Sequence, residues 1–483
     1  MHERWLEGRN GGALRKFLKI GGIALGVVLL LVAIAAGLVY AMMRHFYPSP
    51  PQANYTRPND PLEAQRQDLD YFAKLIGMDR SYSTEARAEA HRRLAELADL
   101  NTVIPRPNFR VALMEIAALA DNGHTRLDSD SGADSMELPV RVAAFSDGIY
   151  VLHATKAYAD LLGGKIVSID GHPIDEVMAQ LEQLRGGTPQ WRKAYAQVYI
   201  SWQDVLVGGG IAPDIGHSTW TVTSPSGTTV TRTLTPYRPS EDQPDIFVNR
   251  IYSAEPLKQM GADWVAYQPD RPLPITLSDF DTTFRRVRLP HSCVLLIQFR
   301  SNDDEGNNHI KNFEAATKAD MQANKPCQLI FDNRFNAGGN LTKTILFAKD
   351  LPHLISPSGH IYLLTSGMTF SAGITTTALI KHSGGDRVTI LGEPVGDRLA
   401  FFAEGGRGCL PNYPLCLHYE TGKHDYGHSC TNLDTCFWLN WLLPVRVKTL
   451  QPDEIITMTF DDWRQGRDPV FERAMALANR NEP

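Results

Sequence analysis

Buried-strand patterns alternate with amphipathic helical patterns from about residue 286 onward. The apolar runs "CVLLIQF", "CQLIFDNRF", "HIYLLT" and "RVTILGE" are separated by "HIKNFEAATKADMQA", "LTKTILFAKDL" and "SAGITTTALIKHS". Apolar strands separated by helices are typical of βαβ units, whose parallel sheet is covered by helices on both faces. The pattern predicts an α/β core with a mostly parallel sheet, and reactive groups in such cores gather at the carboxyl ends of the strands.

A second constraint is the segment from Ile20 to Met43, which contains no charged residue. As a helix it would be roughly 36 Å long, enough to cross a bilayer core of about 30 Å. A secretory signal has an apolar region of only about 7–15 residues, so we expect an uncleaved anchor rather than a signal peptide. Positive charges are concentrated before the segment, at Arg4, Arg9, Arg15, Lys16 and Lys19. The positive-inside rule therefore predicts a cytoplasmic tail at 1–19, an inner-membrane anchor at 20–43, and export of the remainder to the periplasm or a similar extracytoplasmic space.

The exported part divides by composition and periodicity into five further regions. We predict a Pro-rich stalk at 44–61, a helical region at 62–135, a β-rich module at 136–237, an irregular linker at 238–285 and the α/β core at 286–480, with a Cys-rich insertion at 405–441. Small partly open barrels like the β-rich module can bind an extended peptide as an added strand at an exposed edge. The net charge of -6 and the absence of a long basic run argue against a nucleic-acid partner.

The insertion contains four of the six cysteines, Cys409, Cys416, Cys430 and Cys436. In an oxidising compartment such clustering predicts disulfides, with three possible pairings. Interspersed histidines make zinc the alternative, but there is no CxxC pair and we predict no metal. The insertion would either form a stapled surface lobe or line a substrate entrance.

The other two cysteines, Cys293 and Cys327, each begin a strand-like run. They are expected to be buried thiols, or else a bridge between neighbouring strands.

Ser371 lies where the run "IYLL" ends and a predicted helix begins. A serine at this position can cap the helix, a role that Thr369 could also fill. It can also be a nucleophile, because unpaired N–H groups and the helix dipole favour a developing negative charge there. Ser371 by itself leaves both interpretations open.

A glycine pair, Gly338-Gly339, follows the buried strand in "FDNRFNAGGN". Two glycines let the backbone turn tightly and direct N–H groups at one point, as an oxyanion hole requires. The alternative is an ordinary turn between strand and helix. In either case, Asp332 and Arg334 are expected to hold the turn rather than to react.

His124 follows a predicted helix in "ALADNGHTRL". A serine hydroxyl is a weak nucleophile until a base removes its proton, and histidine has a suitable pKa. The base needs to be close in space only, so the distance in sequence is no obstacle. Otherwise His124 would simply be an exposed side chain.

Taken in order, these segments resemble the tail-specific, C-terminal-processing serine peptidases, in their tricorn-core-like branch with a catalytic histidine. The similar segments are "ADNGHTRL", "DNRFNAGGN", "TSGMTFSAGITTTALI", "RVTILGEPVGDR" and the closing "QPDEIITMTFDDWRQGRDPVFERAMALA". The resemblance covers about residues 62–480. It implies a ClpP/crotonase-like sheet core and identifies the β-rich region as a PDZ-like module.

The resemblance also implies a serine-type endopeptidase that acts on exported polypeptides without metal or cofactor. Ser371 would be the nucleophile and His124 the base, with an oxyanion hole from the N–H groups of Gly339 or Gly338 and of Ala372. The lysine base of the bacterial branch has no counterpart here, because Asp397 and Arg398 stand near its place and arginine does not lose its proton. Lys381 lies almost three turns beyond Ser371 on the same predicted helix, roughly 15 Å away, which is too far for it to serve as the base of a Ser–Lys dyad.

An acidic residue late in the chain helps to organise the site in this branch. Relatives have a glutamate shortly before the Pro-Asp segment, but "VRVKTLQPD" lacks one. The candidates for the orienting acid are Glu404, Asp397 and Asp425. This departure motivates the alternative function, a catalytically inactive, membrane-anchored protein that binds a ligand or peptide on the same scaffold.

Overall fold

The computed structural model describes residues 4–129, 135–239, 250–256 and 260–480, with side chains from residue 18 onward. They belong to two compact units, residues 1–50 and 51–483. The helices are α1 (Arg4–Phe46), α2 (Pro61–Met78), α3 (Thr84–Ala98), α4 (Arg106–Ala118), α5 (Ile174–Leu181), α6 (Pro189–Tyr199), α7 (Gln203–Gly208), α8 (Ile310–Ala323), α9 (Leu341–Leu354), α10 (Ala372–Gly384), α11 (Leu439–Leu442), α12 (Phe460–Arg464) and α13 (Pro469–Arg480). The strands are β1 (Arg126–Ser129), β2 (Val140–Phe145), β3 (Gly148–Thr155), β4 (Lys165–Ile169), β5 (His172–Pro173), β6 (Ser218–Thr223), β7 (Thr229–Leu234), β8 (Trp264–Ala266), β9 (Phe284–Arg288), β10 (Val294–Phe299), β11 (Gln328–Asp332), β12 (Ile361–Thr365), β13 (Val388–Gly392), β14 (Ala400–Cys409), β15 (Leu415–Asp425) and β16 (Glu454–Ile455).

The first unit contains α1. Its segment Leu18–Phe46 has 29 residues and a mean hydropathy of 2.8. Within the described ranges it is the one helix long and apolar enough to cross a membrane. It includes the whole predicted anchor at 20–43.

A six-stranded sheet forms the core of the second unit, in the order β16-β13-β12-β11-β10-β9. All neighbours are parallel except β9, which is antiparallel to β10. Alternate residues of the central strands pack on opposite faces, for example Leu295 on one face with α8–α10 and Leu296 on the other with α13. This two-sided burial is why these strands are continuously apolar. The mostly parallel sheet predicted from the sequence is present.

A second sheet, from the β-rich region, has the strand order β2-β3-β4-β6-β7, with β5 and β8 paired to β4 and β3. The outer edge of β2 is closed by the protein itself. Gln197 Oε1 accepts a hydrogen bond from the N–H of Ala144, and the Tyr252 hydroxyl donates to the carbonyl of the same residue. Ser201 Oγ donates to the carbonyl of Val140. A peptide strand therefore cannot pair with β2 without displacing these contacts.

A third sheet, in the order β1-β15-β14, joins the helical region to the Cys-rich hairpin. Leu415, Leu417 and Tyr419 of this hairpin are buried in the same core cluster as α2 and α4. The hairpin is thus part of the core, and the interpretation of the insertion as a stapled surface lobe is wrong for β14 and β15.

The predicted disulfides are present in the insertion as Cys409–Cys416 and Cys430–Cys436. Cys293 and Cys327 form a third disulfide, so their interpretation as free thiols is wrong. The starts of the parallel strands β10 and β11 are adjacent, and the N–H of Cys327 donates to the carbonyl of Cys293. Strand pairing, which the sequence does not show directly, brings these two sulfur atoms together.

Candidate active site

Ser371 lies between the end of β12 and the start of α10, at the carboxyl edge of the parallel sheet. Its backbone has φ 54° and ψ -123°, a conformation rare for a residue other than glycine and worth about 1–3 kcal/mol of strain. Its hydroxyl makes no capping hydrogen bond within the described part of the chain. Thr369 does not cap the helix either: its hydroxyl oxygen accepts from the N–H of Ser366, which precedes the helix, and its proton is donated to the carbonyl of Asn333. The structure thus contradicts the capping interpretation of both residues.

The turn that contains Gly338 and Gly339, called the glycine turn below, lies in direct contact with Ser371. A Cβ atom on Gly338 would lie 2.6 Å from Ser371 Cβ and 3.1 Å from Ser371 Oγ, so a side chain at this position would collide with the serine. The φ values of Gly338 and Gly339 are 112° and 125°, which favour glycine. The N–H of Gly338 donates to Asn336 Oδ1 at 3.0 Å. Among the described residues, the N–H groups of Gly339 and Ala372 have no acceptor, which leaves these two available to a ligand.

Three buried asparagines connect the glycine turn to α10, and none of them was selected from the sequence. Asn336 Nδ2 donates to Asn302 Oδ1 and Asn333 Oδ1, both at 2.8 Å. Asn333 Nδ2 donates to the carbonyl of Gly373 at 2.8 Å, in the first turn of α10. Their signal in the sequence was polar amides within four residues of the ends of two buried strands, where an exposed loop would be the usual expectation.

Arg334 anchors the same turn from the other side of the sheet. Its guanidinium makes two hydrogen bonds with each of the carboxylates of Asp332 and Asp468, at 2.7–2.9 Å. Burial acts against the charges, but the two carboxylates hold the pKa of Arg334 above its usual value. Burial alone would raise the pKa of Asp468, but the charge and hydrogen bonds of Arg334 outweigh it and hold this pKa below its usual value. The turn is thereby fixed to the start of α13.

His124 follows α4 in a loop, and its imidazole lies between two phenyl rings. The ring centroids are 4.3 Å from Phe370 and 5.4 Å from Phe401. His124 is only 9% exposed, and both ring nitrogens are without a hydrogen-bond partner in the part of the chain that the structure describes. Burial, followed by the nearby charges of Arg126, His424 and Arg185, holds the pKa of His124 well below its usual value. The imidazole is therefore neutral at physiological pH, the form in which it can accept a proton.

The rings around His124 form a longer stack. Trp191 of α6 lies 3.6 Å from Phe370 with nearly parallel planes, and Phe401 lies 5.3 Å from His424. Phe370 is the residue before Ser371, so this stack brings His124 close to the segment that contains Ser371, although the two residues are far apart in the sequence. In this arrangement the imidazole makes no hydrogen bond to Ser371.

Asp397 is the candidate acid that contacts the His124 loop. Its Oδ1 atom accepts a hydrogen bond from the N–H of Arg398 at 2.8 Å. The backbone of Gly123, the residue before His124, lies close enough to act on the pKa of this carboxyl group. Its Oδ2 atom is buried and has no partner among the described residues. Burial raises the pKa of Asp397 to about 7. This carboxyl group can therefore hold the loop, and its remaining oxygen is uncommitted.

The other two candidate acids are engaged elsewhere. Glu404 Oε1 lies 3.4 Å from His424 Nε2, and the other nitrogen of that ring lies 3.2 Å from the Tyr426 hydroxyl. Tyr426 continues the chain of contacts to Thr375 of α10 at 2.6 Å. Asp425 accepts from the N–H groups of two following residues and holds its own turn. Neither carboxylate is hydrogen-bonded to the His124 ring.

The arrangement is that of an α/β protein with a serine, an imidazole and backbone N–H donors at the carboxyl edge of a parallel sheet. Solved structures with the same fold include mature CPAF complexed with lactacystin, at a TM-score of 0.57 and 14% identity, covering 87% of this chain and 99% of that chain. A crystal structure of a serine-to-alanine mutant of CPAF matches at a TM-score of 0.56 and 13% identity, covering 88% and 99%. A weaker match, at a TM-score of 0.35 and 13% identity, is the photosystem II D1 C-terminal processing protease, covering 74% of this chain and 87% of that chain.

No protein-family model and no curated protein sequence matches the chain. At 13–14% identity the CPAF structures establish the fold over 87–88% of the chain. They confirm at the level of the fold the resemblance inferred from the motifs. The roles of the individual residues rest on the geometry around Ser371.

Proposed function

We propose that this protein is a membrane-anchored serine-type endopeptidase that hydrolyses peptide bonds of exported polypeptides. The observation that carries the proposal is the position of the neutral His124 ring against Phe370, next to a strained Ser371 that the glycine turn touches. Ser371 is the nucleophile, and His124 is the general base. The N–H groups of Gly339 and Ala372 form the oxyanion hole, since that of Gly338 is engaged with Asn336.

The reaction follows from these assignments. His124 takes the proton of the Ser371 hydroxyl while the oxygen attacks the substrate carbonyl, and the two N–H groups stabilise the negative oxygen of the tetrahedral intermediate. The imidazolium then gives its proton to the leaving amine. Water, activated by the same imidazole, hydrolyses the acyl-enzyme. The ring must shift within its stack to reach Ser371, as is common because catalytic hydrogen bonds tighten only when substrate binds.

Several finer assignments belong to the same proposal. The length and hydropathy of α1 support a single-pass anchor, and the three disulfides support an extracytoplasmic location such as the periplasm. The six-stranded sheet supports a ClpP/crotonase-like core, and the β2–β7 sheet supports a PDZ-like module. The histidine favours the tricorn-like branch. Asp397 is the acid that we assign to the His124 loop.

Active-site labelling of the full-length protein in detergent tests the proposal. A fluorophosphonate probe should label the wild type, Ser371→Ala should abolish labelling, and His124→Ala should slow it strongly. Ser226→Ala, which changes an exposed serine in the β6–β7 turn, is the matched control and should label like the wild type. Undiminished labelling of Ser371→Ala would refute the assignment. Ligand binding without Ser371-dependent cleavage of casein would support the inactive binding protein instead.

A further inference from the structure

A cavity of about 130 Å³ lies between the β2–β3 turn, α6 and the loops at the carboxyl edge of the six-stranded sheet. Its apolar wall comes from separate parts of the chain, including Phe145, Ala194, Tyr252, Phe335, Met368 and Met458. We infer that this cavity is a subsite for one apolar side chain, leucine or phenylalanine, of the polypeptide substrate. The inference rests on the proposed peptidase function.

The polar side chains of the inner wall are already satisfied by the protein. Arg334 is bound to Asp332 and Asp468, and the Ser366 hydroxyl donates to the carbonyl of Arg334. The Thr365 hydroxyl donates to the carbonyl of Glu393 at 2.8 Å. Because these groups have their partners, a ligand group inside the cavity gains most by being apolar.

The mouth of the cavity has a different character. Lys193 and Glu393 line the cavity and are both exposed to solvent. Partial burial raises the pKa of Glu393, and the positive charge of Lys193 opposes this shift. Charged groups at the mouth keep it hydrated, which suits the polar backbone of a peptide whose side chain points inward. The size fits as well, because an apolar cavity of about 150 Å³ accommodates a benzene ring.

The cavity is also within reach of the proposed scissile bond. Gly367 and Met368 line it, and Ser371 follows Met368 by three residues. Extended chain spans at most about 3.3–3.6 Å per residue. A peptide with its carbonyl at Ser371 therefore reaches the cavity within about three or four residues. Since the edge of β2 is closed by Gln197 and Tyr252, this cavity replaces strand addition at β2 as the place of recognition.

The test measures binding in full-length Ser371→Ala protein in detergent, so cleavage is not required. Fluorescent Gly/Ser decapeptides carrying a single Leu or Phe are compared with the parent peptide by anisotropy. Burial of the side chain should strengthen binding by about tenfold to a hundredfold. Ala194→Phe fills the cavity, and Gln190→Trp covers its partly exposed rim, so each should remove this gain. Ala323→Phe, an exposed position on α8, is the matched control and should keep it.

The outcomes separate this inference from the peptidase proposal. If the gain survives both cavity variants, or if all peptides bind equally, the subsite is refuted even when Ser371 is labelled. If Ser371 is not labelled but the gain disappears only in the cavity variants, the peptidase fails while the apolar site stands. The melting temperature identifies an unfolded Ala194→Phe protein, in which case Gln190→Trp decides.

Discussion

The buried ion cluster around Arg334 offers a sharp test of how the glycine turn is held. Arg334→Met keeps an unbranched side chain but leaves the carboxylates of Asp332 and Asp468 without their cation. The side chains of the three residues are 5%, 0% and 1% exposed, so water cannot replace the lost partner. Removing one member of a buried ion pair costs about 3–5 kcal/mol, and with two pairs broken we expect the upper part of that range.

Urea denaturation of the full-length protein in detergent measures this loss as a change in the free energy of unfolding. The matched control is Arg464→Met, which removes contacts with Asp270 and Asp461 from a side chain that is 28% exposed. Such surface pairs contribute only about 0–1 kcal/mol. Similar losses in the two variants would refute the reasoning that burial makes the Arg334 cluster critical.

The same variant has a predictable pH dependence. The pKa of Asp468 is lowered in the folded protein, so its contribution to stability is present above the unfolded pKa of about 3.9 and is lost as pH falls through the folded value. In Arg334→Met, burial without the cation raises the pKa of Asp468, so the variant regains stability by taking up a proton as the pH falls. We therefore expect the difference in unfolding free energy between wild type and Arg334→Met to be large at pH 7 and to shrink steadily towards pH 4 and below. A difference in unfolding free energy that stays constant with pH would contradict an electrostatic origin of the stability loss. In Arg334→Met, labelling of Ser371 by the fluorophosphonate probe should also be weaker than in the wild type, because the glycine turn loses its anchor.

Three further predictions concern Asp397, Phe401 and the Cys430–Cys436 disulfide. Burial raises the pKa of Asp397 to about 7, so the stability of the wild type falls as the pH rises from about 4 to 7. Asp397→Asn should therefore be up to about 4 kcal/mol more stable than wild type at pH 8 and about equally stable at pH 4. A difference in thermal unfolding that does not change with pH would refute this. Phe401→Ala should lower the free energy of unfolding by about 3–5 kcal/mol. It should also admit water to His124 and raise the pKa of the imidazole, which moves the acid limb of the pH profile of probe labelling to higher pH. An unmoved limb would argue against burial as the cause of the lowered pKa of His124. Replacing both Cys430 and Cys436, which are six positions apart, by serine should lower the free energy of unfolding by about 2 kcal/mol, because the unfolded chain is no longer held in a closed loop. An unchanged melting temperature would contradict that loss.

Much of the core was predictable because its signals are local. Continuous apolar runs between amphipathic helices can be buried on both faces only in a parallel sheet, and β10 to β13 lie where those runs occur. Ser371 and the glycine turn were recognisable for the same reason, since the carboxyl ends of neighbouring parallel strands meet at one edge. The uncharged segment at 20–43 likewise carries its helical and apolar character in consecutive residues.

The remaining features depend on side chains that meet only after folding. The Cys293–Cys327 disulfide follows from the pairing of β10 with β11, and the closed edge of β2 follows from where α6 and Tyr252 pack. The environment of His124 comes from Phe370 and Phe401, which are far away in the chain. Hydrophobic periodicity records which face of an element is buried but not which remote element covers it. The chain by itself thus determined its strands, helices and reactive residue types, whereas only tertiary packing decided the partners, burial and protonation of those residues.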